Sequence, residues 1–100
     1  MLYVSTPELP EMSVDAPKIE KLEEETVTLS WKAGKPEPLT YIIQSKPKDA
    51  KEWTTCKETT ATTQTLDREE PECAYRIVGK NEVGKSKPTK SVTVPKKGEA

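Results

Sequence analysis

Residues 73–88 read CAYRIVGKNEVGKSKP, and the fold turns on how the second half of this stretch is read. As a string, residues 79–86 match G-x-x-x-x-G-K-S, the loop that grips phosphate between a parallel strand and a helix. In such a loop the backbone amides and the helix N-terminus face the phosphates, Lys reaches the outer oxygens and the hydroxyl holds Mg²⁺. The strand is present, since Cys73, Tyr75, Ile77 and Gly79 alternate with Ala74, Arg76 and Val78. The helix is not. Lys87 and Pro88 follow Ser86, and proline removes a helical donor and pushes the preceding residue toward extended geometry. Beyond it, TKSVTVP is alternating and rich in β-branched residues. No apolar strand ends in an Asp placed to hold Mg²⁺. The string is expected to be a hairpin loop and no nucleotide partner is expected. Asn81 and Gly84 suit left-handed turn angles, and Gly79 stands where a small residue packs inward.

The same period of two runs outward from this stretch. Val27, Leu29 and Trp31 share one face of TVTLSW, and Leu39, Tyr41 and Ile43 one face of LTYIIQSK. WTTCK is a short strand opened by Trp53, read as an edge aromatic covering the core rim. In TTATTQTL a weak alternation puts Ala61, Thr63 and Thr65 in line, and SVTV contributes Val92 and Val94. Polar turns rich in Gly, Pro and acid separate these runs: AGKPEP, PKDAKE and DREEPE. KLEEET lacks the apolar spacing of a helix. About seven short strands with a turn every 8–12 residues predict an all-β fold, a seven-stranded antiparallel β-sandwich of the immunoglobulin-like kind. Residues 17–95 are expected to form it. Residues 1–16, with two prolines and a third at Pro17, are expected to be an extended linker (LYV being the end of a preceding element), and residues 96–100 a polar tail. The expected core is Leu29, Trp31, Tyr41, Ile43, Leu66, Cys73, Tyr75, Ile77 and Val92.

Composition narrows the chemistry. The chain has 100 residues, 33% of them charged, and a net charge of −1, so no general attraction to nucleic acid or membrane is expected. There is no His, which removes the commonest general base and metal ligand. Cys56 and Cys73 have neither CxxC spacing nor a His partner, so no metal site is expected. They read as small buried hydrophobes, with a disulfide between them left open. No catalytic residue, cofactor or metal is assigned. No apolar run approaches the ~20 residues of a membrane span, and neither a signal peptide nor an N-x-S/T acceptor is visible. These features lean toward a cytosolic protein.

Taken together and in order, the motifs resemble a fibronectin type III domain from about Pro17 to Val94. VTLSW is similar to that family's second strand with its Trp at position 31, and YIIQSK to the third. Leu66 resembles the Leu near the turn before the sixth strand. Tyr75, Arg76, Ile77, Gly79, Asn81, Gly84, Ser86 and Pro88 resemble the sixth strand and the N-x-x-G-x-S-x-P loop after it. An immunoglobulin domain would normally put a Cys on the second strand and its core Trp on the third. The resemblance also shows two departures. Cys73 stands where the family has the Tyr of its corner, whose hydroxyl bonds back to the backbone. Ala61 and Thr63 stand where larger apolar residues are usual. Both thin the core, and stability toward the low end of ~5–15 kcal/mol is expected.

Trp53 and the NEVGKSKP loop further resemble the type III domains of giant intracellular muscle proteins and their kinase relatives. That resemblance implies a non-enzymatic module for spacing, load-bearing and protein–protein contact, monomeric when isolated, cytoplasmic and, in muscle, sarcomeric. Its partners would be other proteins and neighbouring domains of the same chain. The alternative is a module of an extracellular adhesion or receptor protein, although no Arg-Gly-Asp is present. Charge is unevenly laid out. Acids crowd residues 8–25 (Glu8, Glu11, Asp15, Glu20, Glu23, Glu24, Glu25), and bases crowd residues 76–97. In the implied fold the acidic turns at 23–25 and 67–72 meet at one pole. Lys46, Lys48, Lys80, Lys85, Lys87 and Lys90 would give a Lys-rich face suited to an acidic partner or to a neighbouring module.

Overall fold

A computed structural model of the chain describes residues 9–35, 39–69 and 72–96. The expectations for LYV, for the Pro-bearing centres of the 33–38 and 67–72 turns and for most of the tail lie outside the described residues. Seven strands follow in order: β1 (Lys18–Leu22), β2 (Thr26–Ser30), β3 (Thr40–Pro47), β4 (Thr54–Thr59), β5 (Thr63–Asp67), β6 (Cys73–Lys80) and β7 (Val92–Val94). They form two antiparallel sheets, β1-β2-β5 and β4-β3-β6-β7. This is the seven-stranded antiparallel sandwich that the periodicity predicts.

Alternation decides which side chains meet between the sheets. Val27 and Leu29 from β2, Tyr41 and Ile43 from β3, Leu66 from β5, Cys73, Tyr75 and Ile77 from β6 and Val94 from β7 are buried together with Leu39. Each large apolar side chain fully buried in this way contributes about 1.5–3 kcal/mol. Trp31 and Val92, expected in the core, are half-buried and pack against it. Trp31 lies one residue past the end of β2, so it caps the open end of the sandwich, its ring set edge-on to Tyr41 at 5.9 Å between centroids. Val92 opens the three-residue β7 at the sheet edge, opposite Tyr75.

Two strands differ from the sequence reading. In β5 the residues facing Leu29 and Val27 are Gln64 and Leu66, while Thr63 and Thr65 face out and Ala61 lies in the preceding turn. Leu66 sets the register, and a period of two then sends every odd-numbered neighbour to solvent. The Thr65 and Thr28 hydroxyls bond each other on that outer face, 2.9 Å apart. β1 carries no apolar alternation that would mark it, because only Ile19 is even half-buried. It is held by its pairing with β2, with an irregularity between Ile19 and Lys21.

The leading segment packs onto the sandwich from Pro10 onward. Glu11 and Lys35 exchange backbone hydrogen bonds of 2.7 and 3.0 Å, and the Lys90 amide donates to Val14 O. Between them Met12 reaches inward to the two small residues Gly34 and Gly79, beside Leu39. Gly79, on β6 opposite Tyr41, is therefore a place where a small residue packs inward.

Candidate interaction surface

The GKNEVGKS loop shows how its polar groups are spent. Asn81 Oδ1 accepts from the amides of Val83 (2.8 Å) and Gly84 (3.1 Å), and the Asn81 amide donates to Gly84 O at 3.0 Å. The Ser86 amide donates to Gly79 O at 2.7 Å, and Ser86 Oγ accepts from the Gly79 amide at 2.9 Å. The amides of Gly79, Asn81, Val83, Gly84 and Ser86 and the Ser86 hydroxyl are bound within this segment, and Lys80 lies 3.9 Å from Glu58. Three residues on, the buried Thr89 repeats the device. Its Oγ1 accepts from the Ile77 amide at 3.0 Å, and its own amide donates to Ile77 O at 3.0 Å. The segment 85–90 thus runs along β6 with two hydroxyls standing in for strand backbone.

The lysines of the expected basic face are spread apart. Lys80 and Lys85 bridge each other at the pole of the hairpin loop. Lys87 lines a shallow groove with Leu9, Pro10 and Val14, and Lys90 is tied through its amide to the leading segment. Lys48 stands at the opposite pole, where its amide donates to Glu72 O. Lys46 lies near the end of β3, opposite Ala74 of β6, and there it meets groups the lysine pattern does not include. Arg76 stacks on Trp53 with its guanidinium carbon 4.3 Å from the ring centroid, and Lys46 Nζ is 5.7 Å from the same centroid. Arg76 Nε donates to Gln44 Oε1 at 2.7 Å, as their cross-strand pairing allows. Burial pulls the Arg76 guanidinium below the ordinary arginine range. Trp53 therefore covers the outer face of the sheet and not the core rim. Its place follows from preceding Thr54, the partner of Ser45, which sets the ring beside Lys46.

At the acidic pole the turn at 23–25 meets residues 67–69, the Arg68 amide donating to Glu25 O. Arg68 is 5% exposed. Its guanidinium donates to three backbone carbonyls: Glu23 O, Pro95 O at 3.1 Å and Lys96 O at 2.6 Å. Neither Arg68 nor Met12 carries a signal in the sequence, because each acts from a turn or a leader where no strand period marks its direction. Neither cysteine is in a disulfide; Cys56 is exposed and Cys73 buried. They sit on β4 and β6 with β3 between, about two strand spacings (~10 Å) apart, beyond the ~7 Å reach of a disulfide. Desolvation, and then the Glu69 charge, push both thiols up, which favours the protonated form. Among the described residues no group of three or more His, Cys, Asp or Glu could hold a metal ion, and no helix is long and apolar enough to cross a membrane.

Sheet order, register and the hairpin loop define a β-sandwich module of the fibronectin type III-like kind. Solved structures agree. The twitchin kinase region from C. elegans (Fn31-NL-kin-CRD-Ig26) is similar with a TM-score of 0.74 and 27% identity, over 95% of this chain and 17% of that one. Domains A168–A170 of titin give a TM-score of 0.69 at 19% identity, over 89% of this chain and 32% of that one. The fibronectin type III domain of human fibronectin type III domain containing protein 3 gives 0.72 at 17% identity, over 98% and 93%. No family model matches the chain, and no curated protein sequence does. The chain thus spans under a third of the twitchin and titin chains it resembles.

Proposed function

We propose that the chain is a spacing, load-bearing and protein-contact module of a larger modular intracellular protein of the muscle cytoskeletal or scaffold kind. The observation that carries this reading is how its two ends are held. The leading segment is pinned at the hairpin-loop pole by the Glu11–Lys35 bridge. The trailing segment is pinned at the opposite pole by Arg68 on Pro95 and Lys96. A module held at both poles passes orientation and tension along its strands to its neighbours. The likeness to the twitchin kinase region, at 27% identity, supports the muscle assignment.

An exposed thiol that β3 separates from the other cysteine supports a reducing compartment, where thiols persist. Thiol labelling of protein taken from its native source, with no reductant, tests the assignment. Cys56 is expected to react in the folded protein and Cys73 only after denaturation. Protein from an oxidising compartment with both thiols blocked would instead favour an extracellular adhesion or receptor module.

A further inference from the structure

The outer face of β3 and β6 holds a cation whose geometry is fixed before any partner arrives. Arg76 is stacked on Trp53 at 4.3 Å and bonded through Nε to Gln44 at 2.7 Å. Its two terminal nitrogens make no protein hydrogen bond among the described residues. Guanidinium presents its donors as a rigid fork that matches a carboxylate, and stacking fixes the plane of that fork. Lys46 brings a second positive charge to the same ring, 5.7 Å from its centroid. The nearest charged pair on this face, Lys80 with Glu58, is already matched. Among the described residues neither Arg76 nor Lys46 has a carboxylate within 4.0 Å. Ala74, which faces Lys46 across the pair of strands, leaves the floor of the site low.

We infer that Arg76, Lys46 and Trp53 form a docking site for an acidic peptide segment of a protein partner. One carboxylate lies in the open fork of Arg76, a second is met by Lys46, and the peptide's apolar groups rest on the exposed part of Trp53. Charge complementarity selects the occupant, since two uncompensated cations around one ring demand anions. The donor fork favours planar carboxylates on a chain that can place two of them side by side. The inference rests on the protein-contact reading but not on the compartment or parent protein, so the thiol experiment can fail while this site stands.

The test is a ¹⁵N NMR titration of the chain with a synthetic acetylated and amidated Glu/Asp-rich heptapeptide. The Arg76 Nε–H and Trp53 indole signals are expected to move together and saturably. Arg76→Gln is expected to weaken binding about tenfold or more, because a charge-assisted pair is lost. Arg76→Lys keeps the charge without the fork and is expected to recover only part. Lys46→Gln should weaken binding by a smaller factor. The double variant Lys87→Gln/Lys90→Gln removes more charge at a distance and should leave binding within about twofold at 150 mM salt. Thermal melts of each variant separate lost binding from lost fold, and Arg76→Lys keeps the question answerable should Arg76→Gln not fold. The proposal is overturned if the peptide leaves both signals in place. It is equally overturned if Lys87→Gln/Lys90→Gln weakens binding as much as Arg76→Gln. Displacement of the peptide from these residues by an equal concentration of inorganic phosphate or a short oligonucleotide would also overturn it, assigning the site to phosphate.

Discussion

At the scale of single residues, a close fit is made where Met12 meets two glycines. A methyl group added at Gly34 would lie 2.6 Å from Met12 Sδ, 2.8 Å from Glu11 O and 2.8 Å from Leu39 Cδ1. One of those atoms is backbone, held in the bridge to Lys35, and cannot move aside without breaking it. At Gly79 the same addition meets only side chains, Met12 at 3.0 and 3.1 Å and Leu39 at 3.5 Å. Methionine has three rotatable bonds and adapts. Gly34→Ala is therefore expected to cost about 1–3 kcal/mol, the usual cost of overpacking. Gly79→Ala is expected to stay within about 1 kcal/mol, since the narrower unfolded ensemble offsets part of the crowding. Urea denaturation of the two variants checks the ranking, and Gly79→Ala as the worse of the two would contradict this packing. Met12→Ala combined with Gly34→Ala should lose less than the two changes add up to, because the residues share one contact. Half of this site was legible. Gly79 could be read as a small inward residue from the alternation of β6, whereas Met12 sits among prolines with no period to say which way it points.

At the scale of elements, legibility followed burial. β2, β3 and β6 show their faces in the sequence because Val27, Leu29, Tyr41, Ile43, Tyr75 and Ile77 alternate into the core, although Ile42 and Val78 are buried on the other face of their sheet as well. β1 shows nothing, since a strand with one half-buried residue leaves no pattern to read. β5 was legible as a strand but its face was not, because the five threonines of TTATTQTL give no contrast between inside and outside. The loop after β6 was read correctly as a hairpin from Asn81, Gly84 and Pro88, but the sequence gives no reason to see Thr89 as buried. That residue is where the element can be tested. Thr89 Oγ1 is the acceptor for the Ile77 amide, and Ile77 is fully buried. Thr89→Val keeps the shape and leaves that amide without its acceptor, at a cost of about 1–3 kcal/mol. Ser86→Ala acts at a part-buried amide that water can reach, and should cost less. Equilibrium unfolding gives the order of the two, and the Ile77 amide should lose protection from hydrogen exchange in Thr89→Val. Unchanged protection would mean that some other group holds β6 at this point.

At the scale of the whole molecule, the question is what closes the pole at Cys73, where the resemblance to type III domains would put a corner tyrosine. A thiol is a weak donor, and from the sequence the loss of that clamp pointed to a marginal domain. The structure puts a different clamp at the same pole. Arg68 extends from the turn after β5 and joins three parts of the chain: its own turn, the β1–β2 turn at Glu23 and the segment leaving β7 at Pro95 and Lys96. Sequence reading placed Arg68 among the acids of DREEPE, where a lone base looks like a solvated charge, yet it is 5% exposed. Arg68→Met removes every one of these donors at once and keeps much of the volume. Since each hydrogen bond to a charged group contributes about 1.5–3 kcal/mol and the carbonyls left behind are partly open to water, a total loss of about 2–4 kcal/mol is expected. That is a large share of the ~5–15 kcal/mol available to a domain of this kind. Arg68→Lys should recover only part, because an ammonium on a flexible stem does not span the carbonyls as the planar fork does. The urea midpoint should fall without a change in slope, since the folded surface is nearly the same. The same change should free the exit of the chain. In two copies joined through their own ends, small-angle scattering should show a broader spread of inter-domain distances for Arg68→Met than for the parent. A variant that lost stability while keeping the parent's distance distribution would make Arg68 a support of the fold alone, with the direction of the next module set elsewhere.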